Sequence, residues 1–220
     1  QVEVALTHLA GCVEAVVDTA VAIQQIPAPT FAAAKRATYL EAQFKTVGLV
    51  DVCRDEIDNV YGRLPGQTSN HPPVILSAHS DTVFPAETDL TVRQEADFVF
   101  GPGLGDNALG LAGLLHLAQT FIAHELPLEA NIWFAANVCE EGLGNLRGMQ
   151  AVVNRFGSEA THIIVEGGLF GQISRQAIGV RRYRIDVQTE GGHSWGSFGQ
   201  KSAIHELARL ITAIDSLEMP

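Results

Sequence analysis

Acidic side chains and one histidine stand at or near the ends of apolar segments of this sequence. They are His79, Asp81, Asp106, Glu140, Glu141 and Glu166. Imidazole nitrogens and carboxylate oxygens are ligands that proteins use for zinc and other divalent cations. A carboxylate beside such a cation can also transfer protons. The residue types therefore indicate metal binding combined with acid–base chemistry.

His79-Ser80-Asp81 directly follows the apolar run 74–78. In an α/β sheet, ligands bind at the carboxyl ends of the strands, so His79 can offer a ring nitrogen to a metal there. Asp81, two residues further on, can hydrogen-bond the other ring nitrogen. A His–Asp pair in a surface turn is the alternative interpretation of these residues.

Asp106 lies among the glycines of residues 101–110, and a helical stretch follows. A phosphate-binding loop is one interpretation, but no Lys-Ser or Lys-Thr follows and the spacing is not that of a dinucleotide-binding loop. A carboxylate repels phosphate and attracts a cation, and the glycines let the backbone approach a ligand closely. Helix capping by Asp106 is the other alternative.

Glu140 and Glu141 follow the apolar run 131–136, and Glu166 follows the strand pattern of 161–165. Adjacent side chains at a strand end point in different directions, so one glutamate can bind metal while its neighbour moves protons. An isolated Glu-Glu pair is usually a solvated turn, which is the alternative here.

All five carboxylates in this set are expected at or near one edge of one sheet. Carboxylates so close together repel one another unless cations or protons intervene. Two divalent ions bridged by one carboxylate would relieve that repulsion and activate a water molecule. The metal interpretation depends on this coincidence of several weak signals.

The order of the motifs resembles the M20 family of metallopeptidases. The motifs are His-x-Asp at 79–81, Gly-x-Gly-x-x-Asp-Asn at 101–107, Glu-Glu-Gly at 140–142, Glu-Gly-Gly at 166–168 and Gly-Gly-His-Ser at 191–194. That family includes glutamate carboxypeptidase, acetylornithine deacetylase, succinyl-diaminopimelate desuccinylase, aminoacylase and several di- and tripeptidases. The resemblance implies hydrolysis of an amide bond in a small peptide or an N-acyl amino acid, and it leaves the choice among these substrates open.

Carried over to this chain, the family pattern implies a ligand set for two Zn²⁺ ions, with Co²⁺ or Mn²⁺ as alternatives. Asp106 would bridge the two ions. His79 and Glu166 would complete the ligands of one ion, and Glu141 would bind the other. The resemblance also implies a cis peptide bond between Asp106 and Asn107.

The resemblance implies three further roles in the reaction. Glu140 would be the general base that takes a proton from the attacking water and delivers it to the leaving nitrogen. Asp81 would orient His79. His193 resembles the histidine of a lid domain that reaches across a homodimer and steadies the tetrahedral oxyanion, although a lone histidine after glycines is otherwise a loop residue.

The elements that must position these residues indicate an α/β fold with a mostly parallel central sheet and helices on both faces. The apolar runs predict strands at 60–64, 74–78, 131–136 and 161–165. The helical periodicity predicts helices at 2–23, 32–47, 108–123 and 146–156, with Gly48 as a C-cap. We predict that residues 1–178 form the catalytic domain, the N-terminal portion of a zinc exopeptidase-like fold.

Residues 179–220 are predicted to begin an α+β domain for the lid and the dimer contact. The polar–apolar alternation of 181–189 predicts a strand with one wet face. A glycine-rich loop at 191–199 follows. Residues 202–217 then predict an amphipathic helix whose apolar side chains, Ile204, Leu207, Leu210, Ile211 and Ile214, point inward.

Composition argues against several classes of function. A net charge of −11 and the lack of a basic run argue against a nucleic-acid partner. No apolar run reaches membrane-spanning length, so no membrane partner is expected. The cysteines Cys12, Cys53 and Cys139 show no metal-binding spacing and are interpreted as reduced thiols of a cytoplasmic protein.

One ligand of the family pattern has no counterpart in this sequence. Family members draw a His for the second zinc from near the C-terminus, and the remaining histidines here, His8, His71, His116, His124, His162 and His205, lack that context. We therefore expect a chain without its C-terminal part. The rival hypothesis is a non-catalytic member of the same fold that acts in binding or dimerisation, and a phosphate-binding module is a third.

Overall fold

The structure, a computed structural model, describes residues 1–68, 71–168, 171–180 and 182–218. The chain divides into two compact units, Gln1–Ile173 and Ser174–Pro220. The sequence placed the boundary after residue 178. The candidate metal ligands all belong to the first unit, whereas His193 belongs to the second.

The first unit alternates helices and strands along the chain. Its described helices are α1 (Val2–Ala10), α2 (Val13–Gln24), α3 (Ala34–Val47), α4 (Leu109–Ala123) and α5 (Arg147–Phe156). Its described strands are β1 (Val50–Arg54), β2 (Val60–Leu64), β3 (Val74–His79), β4 (Arg93–Glu95), β5 (Phe98–Phe100), β6 (Ile132–Asn137) and β7 (Thr161–Ile164). Every strand and helix predicted for this unit is present in some form, and β1, β4 and β5 were not predicted.

The central sheet has the strand order β1-β2-β6-β3-β7, and β4 and β5 form a separate hairpin. β2 runs antiparallel to both β1 and β6, whereas β3 is parallel to β6 and to β7. The register aligns His79 at the end of β3 with Asn137 at the end of β6. The three parallel strands therefore end at one edge, which brings together the loops that follow them.

Both faces of the sheet are covered by helices, as predicted. Leu76 and Phe134 belong to the larger core, which includes buried side chains of α2, α3 and α4. Their neighbours Ile75 and Ala135 belong to a smaller core with Val152 of α5. This alternation follows from the twofold side-chain period of a strand. The α/β class is therefore confirmed.

The N-terminal helix predicted over 2–23 is interrupted. α1 ends at Ala10 and α2 begins at Val13, and the two axes differ by 63°. The interruption falls at Gly11-Cys12, where glycine has low helix propensity. Among the described residues no single helix is long and apolar enough to span a membrane, and this bent pair meets the length and apolarity criteria only together.

The second unit differs from its prediction in two respects. The strand predicted over 181–189 is absent from 182–189, because a strand requires a partner and the described part of this unit supplies none, and residue 181 lies outside the described residues. Helix α6 (Ala203–Asp215) forms as predicted, but no residue of it is buried. Ile204 and Ile211 are 77% and 58% exposed, so the expected inward packing of this apolar side is wrong for the described structure.

Candidate metal centre

His79 ends β3 and lies at the middle of the site, with only 2% of its surface exposed. Its Nε2 atom is 2.7 Å from Asp106 Oδ1 and 3.3 Å from Glu166 Oε1. Its Nδ1 atom is 3.0 Å from the main-chain carbonyl oxygen of Asp81 and 3.7 Å from the carboxylate Oδ1 of the same residue. The shorter contact is the hydrogen bond, so Asp81 orients the ring mainly through its backbone.

The charge on His79 reflects this acidic surrounding. Burial would lower the pKa of the imidazole, but hydrogen bonds and charges from Asp81 and Glu166 raise it to about 11. The pKa of Glu166 is lowered, because the interaction with His79 outweighs the opposite effect of burial. A positive charge between these carboxylates is therefore favoured, at a position that a cation could take.

Asp81 is completely buried and holds the two glutamates that follow β6. Its Oδ1 accepts a hydrogen bond from the Glu140 amide at 3.0 Å, and its Oδ2 accepts one from the Glu141 amide at 3.2 Å. The Thr30 hydroxyl donates to the same Oδ2 at 3.0 Å. Burial raises the pKa of Asp81, but the nearby His79 ring and the hydrogen bonds from the Glu140 and Glu141 amides lower it overall. The carboxylate thus stays ionised and ties the loops after β3 and β6 together.

Glu140 and Glu141 both have a raised pKa. For Glu140 the cause is burial, with further contributions from the charges of Glu166, Asp81 and Asp106. For Glu141 burial again comes first, followed by the charges of Asp106 and Glu140. A carboxylate whose pKa is raised is a stronger proton acceptor than an exposed one.

Asp106 and Asn107 lie in an irregular turn just before α4, and the peptide bond between them is cis, as the resemblance implies. The buried Asn107 side chain donates to the carbonyl oxygen of Val165 and accepts from the Gly110 amide. A Cβ atom on Gly110 would lie 2.1 Å from Asn107 Oδ1, so only glycine fits there. These bonds hold the Asp106 turn against the end of β7, next to Glu166.

The structure therefore brings together His79, Asp81, Asp106, Glu140, Glu141 and Glu166 in the first unit. His193, in the second unit, is exposed, and its Nδ1 accepts from the amides of Trp195 and Gly196 at 3.3 and 3.2 Å. That ring is held by its own loop.

Two residues beside the site were not singled out from the sequence. Thr30 belongs to a proline-rich segment that pairs with Thr82, which places its hydroxyl on Asp81. Arg36 is 2% exposed and donates to the carbonyl oxygens of Ser80 and Ile26. Burial lowers the pKa of Arg36 to about 10, against the opposing charge of Asp81. In the sequence, Arg36 could have been noticed as a charged residue on the predicted apolar side of α3.

The donor set fits a borderline divalent ion. His79, Asp106 and Glu141 each offer one ligand atom, and these atoms lie within 4.8 Å of one another. One nitrogen and two carboxylate oxygens, with Glu166 beside the same imidazole, match the ligands that zinc takes in hydrolytic centres.

Solved structures share this fold. Aminopeptidase PepT from Bacillus cereus has a TM-score of 0.60 at 20% identity, over 70% of this chain and 43% of its own. A tripeptidase from Staphylococcus aureus has a TM-score of 0.58 at 23% identity, and the match covers 70% of this chain and 43% of the tripeptidase. An aminopeptidase from the archaeon Desulfurococcus kamchatkensis has a TM-score of 0.57 at 10% identity, and the match covers 74% of this chain and 66% of that enzyme. At these identities the likeness is one of fold, that of aminopeptidase-like zinc exopeptidases.

The family comparison goes further. A family model for peptidase family M28 matches residues 59–196, a range that contains every candidate site residue, and the chain belongs to this family. This match supports membership of the wider group that contains the M28 and M20 peptidases. Assignment to M20 in particular depends only on the order of the motifs in the sequence. None of the curated protein sequences matches the chain. The chain spans 43% of the length of the first two similar structures.

Proposed function

We propose that this chain carries the catalytic centre of an M20-type peptidase that hydrolyses an amide bond in a small peptide or an N-acyl amino acid. The proposal depends mainly on the position of the buried His79, whose Nε2 faces Asp106 and Glu166. Glu140 and Glu141 lie close enough to interact with these groups electrostatically. The M28 match and the aminopeptidase and tripeptidase names of similar structures support peptide hydrolysis.

In this proposal the metal is zinc, with two ions in a complete site. Asp106 would contribute to both ions, His79 and Glu166 would help to hold one, and Glu141 would help to hold the other. When bound, zinc supplies the Lewis acidity that polarises a carbonyl and activates water. His79 would bind through Nε2 as a neutral ring, while the main-chain carbonyl of Asp81 keeps the Nδ1 side of the ring oriented.

Glu140 performs the proton transfers. Its carboxylate takes a proton from the attacking water and passes it to the leaving nitrogen, which turns an amide into an amine and a carboxylic acid. The raised pKa of Glu140 suits the first of these transfers, because it makes the carboxylate a stronger acceptor for the proton of the water. His193 of a partner chain would donate a hydrogen bond to the developing oxyanion.

A substrate panel tests the proposal. Metal-stripped protein is reconstituted with zinc and assayed on dipeptides, tripeptides and N-acetyl amino acids, with the Glu140→Gln variant as the matched control. We expect slow hydrolysis that zinc restores and the variant abolishes. Bound zinc without hydrolysis of any member would favour the rival, a binding or dimerisation module of the same fold.

A further inference from the structure

Two polar side chains lie buried beside the loops that carry His79 and Asp106. They are Gln24, the last residue of α2, which is 0% exposed, and Arg36 in the first turn of α3, which is 2% exposed. Burial of polar and charged groups costs free energy unless they are hydrogen-bonded. The hydrogen bonds of these two side chains therefore show which parts of the chain they hold together.

Arg36 donates to three main-chain carbonyl oxygens from separate parts of the chain. Its Nη1 donates to the carbonyl oxygen of Ser80 at 2.7 Å, the residue that directly follows His79. Its Nε and Nη2 donate to the carbonyl oxygen of Ile26 at 2.9 and 2.6 Å, and Nη2 also donates to that of Gln24 at 3.3 Å. The guanidinium group therefore joins the loop after β3 to the end of α2.

Gln24 extends this connection to the glycine-rich loop that carries Asp106. Its Nε2 donates to the carbonyl oxygen of Pro102 in that loop at 3.0 Å and to that of Leu90 at 3.2 Å. The side-chain amide of Gln25 donates to Gln24 Oε1 at 2.8 Å, which fixes the orientation of the Gln24 amide. The end of α2 is therefore bonded to both of the loops that supply candidate ligands.

The two loops also pack directly against each other. A Cβ atom on Gly103 would lie 2.8 Å from the Cγ2 atom of Thr82, which is 5% exposed, so the close approach depends on glycine. His79 Nε2 lies 2.7 Å from Asp106 Oδ1 across the same junction. A metal site tolerates changes of only about 0.2 Å in its ligand distances. A small shift of either loop would therefore disturb a shared ion.

We propose that Gln24 and Arg36 are positioning residues that set the separation of His79 and Asp106 for metal binding. This inference rests on the proposed function, since it takes those two side chains as zinc ligands. Arg36 is close enough to Asp81 for their charges to interact, and a cation so near the site repels a divalent ion. Loss of the Arg36 charge alone would therefore strengthen zinc binding, whereas loss of positioning weakens it.

Zinc affinity, measured by competition with a chelator, tests these roles without an activity assay. Arg36→Met and Gln24→Met keep an unbranched side chain but remove the hydrogen-bond donors. We expect each variant to bind zinc about ten- to a hundredfold more weakly. Lys35→Met is the matched control for charge, because it removes a cation from the neighbouring, exposed position. This control should bind zinc as the wild type does or more tightly.

Leu40→Ala is the control for lost stability. Leu40 lies on the same helix as Arg36 and is 0% exposed, so its truncation leaves a cavity in the core without touching the hydrogen bonds to the loops. At a temperature where all variants are folded, Leu40→Ala should keep the zinc affinity of the wild type. An equal loss of affinity in this control would show that general destabilisation is the cause.

The double variant tests whether the two residues act together. Removal of either connection already frees one loop relative to the other, so Gln24→Met and Arg36→Met combined should weaken zinc binding by less than the product of their separate effects. A loss equal to the product, or unchanged or tighter binding in either single variant, would overturn the proposal. If Arg36→Met does not fold, Gln24→Met decides by the same comparison. A wild-type chain that binds no zinc would contradict the proposed function and this inference with it.

Discussion

Glu140 is surrounded by the charges of three other carboxylates, Glu166, Asp81 and Asp106, and by His79. We predict that Glu140→Gln keeps the fold and the zinc content but lowers turnover by about a hundredfold to ten-thousandfold, because the proton acceptor is lost. Steady-state kinetics together with metal analysis measure both quantities. The exposed Glu159→Gln is the control. Turnover near the wild-type value in Glu140→Gln would show that another residue is the base.

Asp81 acts through its neighbours, since its two carboxylate oxygens accept bonds from Thr30, Glu140 and Glu141. In Asp81→Asn one oxygen becomes an NH₂ group, which cannot accept these bonds and faces another donor. We expect zinc affinity to fall about ten- to a hundredfold, as for other residues that orient ligands. Competition with a chelator measures the change.

A matched control for Asp81→Asn is Asp89→Asn, an exposed position whose carboxylate bonds only to Thr91 among the described contacts. This variant should bind zinc as the wild type does. Equal affinity of the Asp81 and Asp89 variants would mean that Asp81 does not position the site.

At the scale of elements, the contact between α5 and the residues after β6 depends on Gly148. A Cβ atom there would lie 1.9 Å from the carbonyl oxygen of Val138. Gly148→Ala should therefore lower the free energy of unfolding by about 1–3 kcal/mol or more, through overpacking. Denaturant unfolding measures it.

Gly113→Ala is the matched control for Gly148→Ala, since Gly113 lies within α4 with no atom within 4 Å of a built Cβ. Alanine is the better helix former, so this variant should be as stable as the wild type or up to about 1 kcal/mol more stable. If the two variants have the same free energy of unfolding, the close approach of the Gly148 backbone to Val138 does not stabilise the packing of α5.

β3 and β6 could be predicted because they are buried apolar runs between turn residues. β7 could be predicted from its apolar run too, although its residues are largely exposed. β1 was missed because its sequence, Val-Asp-Val-Cys-Arg, is short and partly exposed. The hairpin of β4 and β5 lies largely on the surface, so burial imposed no apolar pattern on it. For 182–189 the alternation suggested a strand, but alternation does not supply a pairing partner.

In the site, too, local sequence patterns could be interpreted, whereas contacts between distant parts of the chain could not. The ligand candidates could be predicted because each stands where a strand ends or a helix begins, which chain position alone reveals. Thr30 and Arg36 could not, since their partners Asp81 and Ser80 are distant in sequence and meet them only through the packing of α3 and the proline-rich segment. Orientation of His79 by the Asp81 backbone rather than its carboxylate also required coordinates.

At the scale of the whole molecule, the ligand count limits metal content. In the proposed ligand assignment, the described residues would supply one ion with His79, Glu166 and Asp106. They would supply the other only with Glu141 and the shared Asp106. We predict that the purified protein retains one tightly bound zinc per chain after dialysis. Elemental analysis checks this, and two tightly held ions per chain would contradict the ligand assignment.

The second unit gives a prediction about assembly. The exposed apolar side chains of α6 include Ile204, Ile211 and Ile214, and the proposed function expects this region to contact a second copy. Ile211→Glu should therefore shift a dimer to monomers in sedimentation, whereas Glu206→Gln on the same helix should not. Identical sedimentation of Ile211→Glu and the wild type would rule out this contact.

The strand order has a consequence for how the protein is made. β6 lies between β2 and β3 in the sheet, yet the chain reaches it only at residues 132–137. During synthesis, β2 and β3 emerge well before the strand that must separate and pair with them. Their unpaired edges can meanwhile bind other chains. The nascent polypeptide should therefore need chaperone protection until β6 has left the ribosome, and slower translation, which prolongs this exposure, should lower the yield on expression.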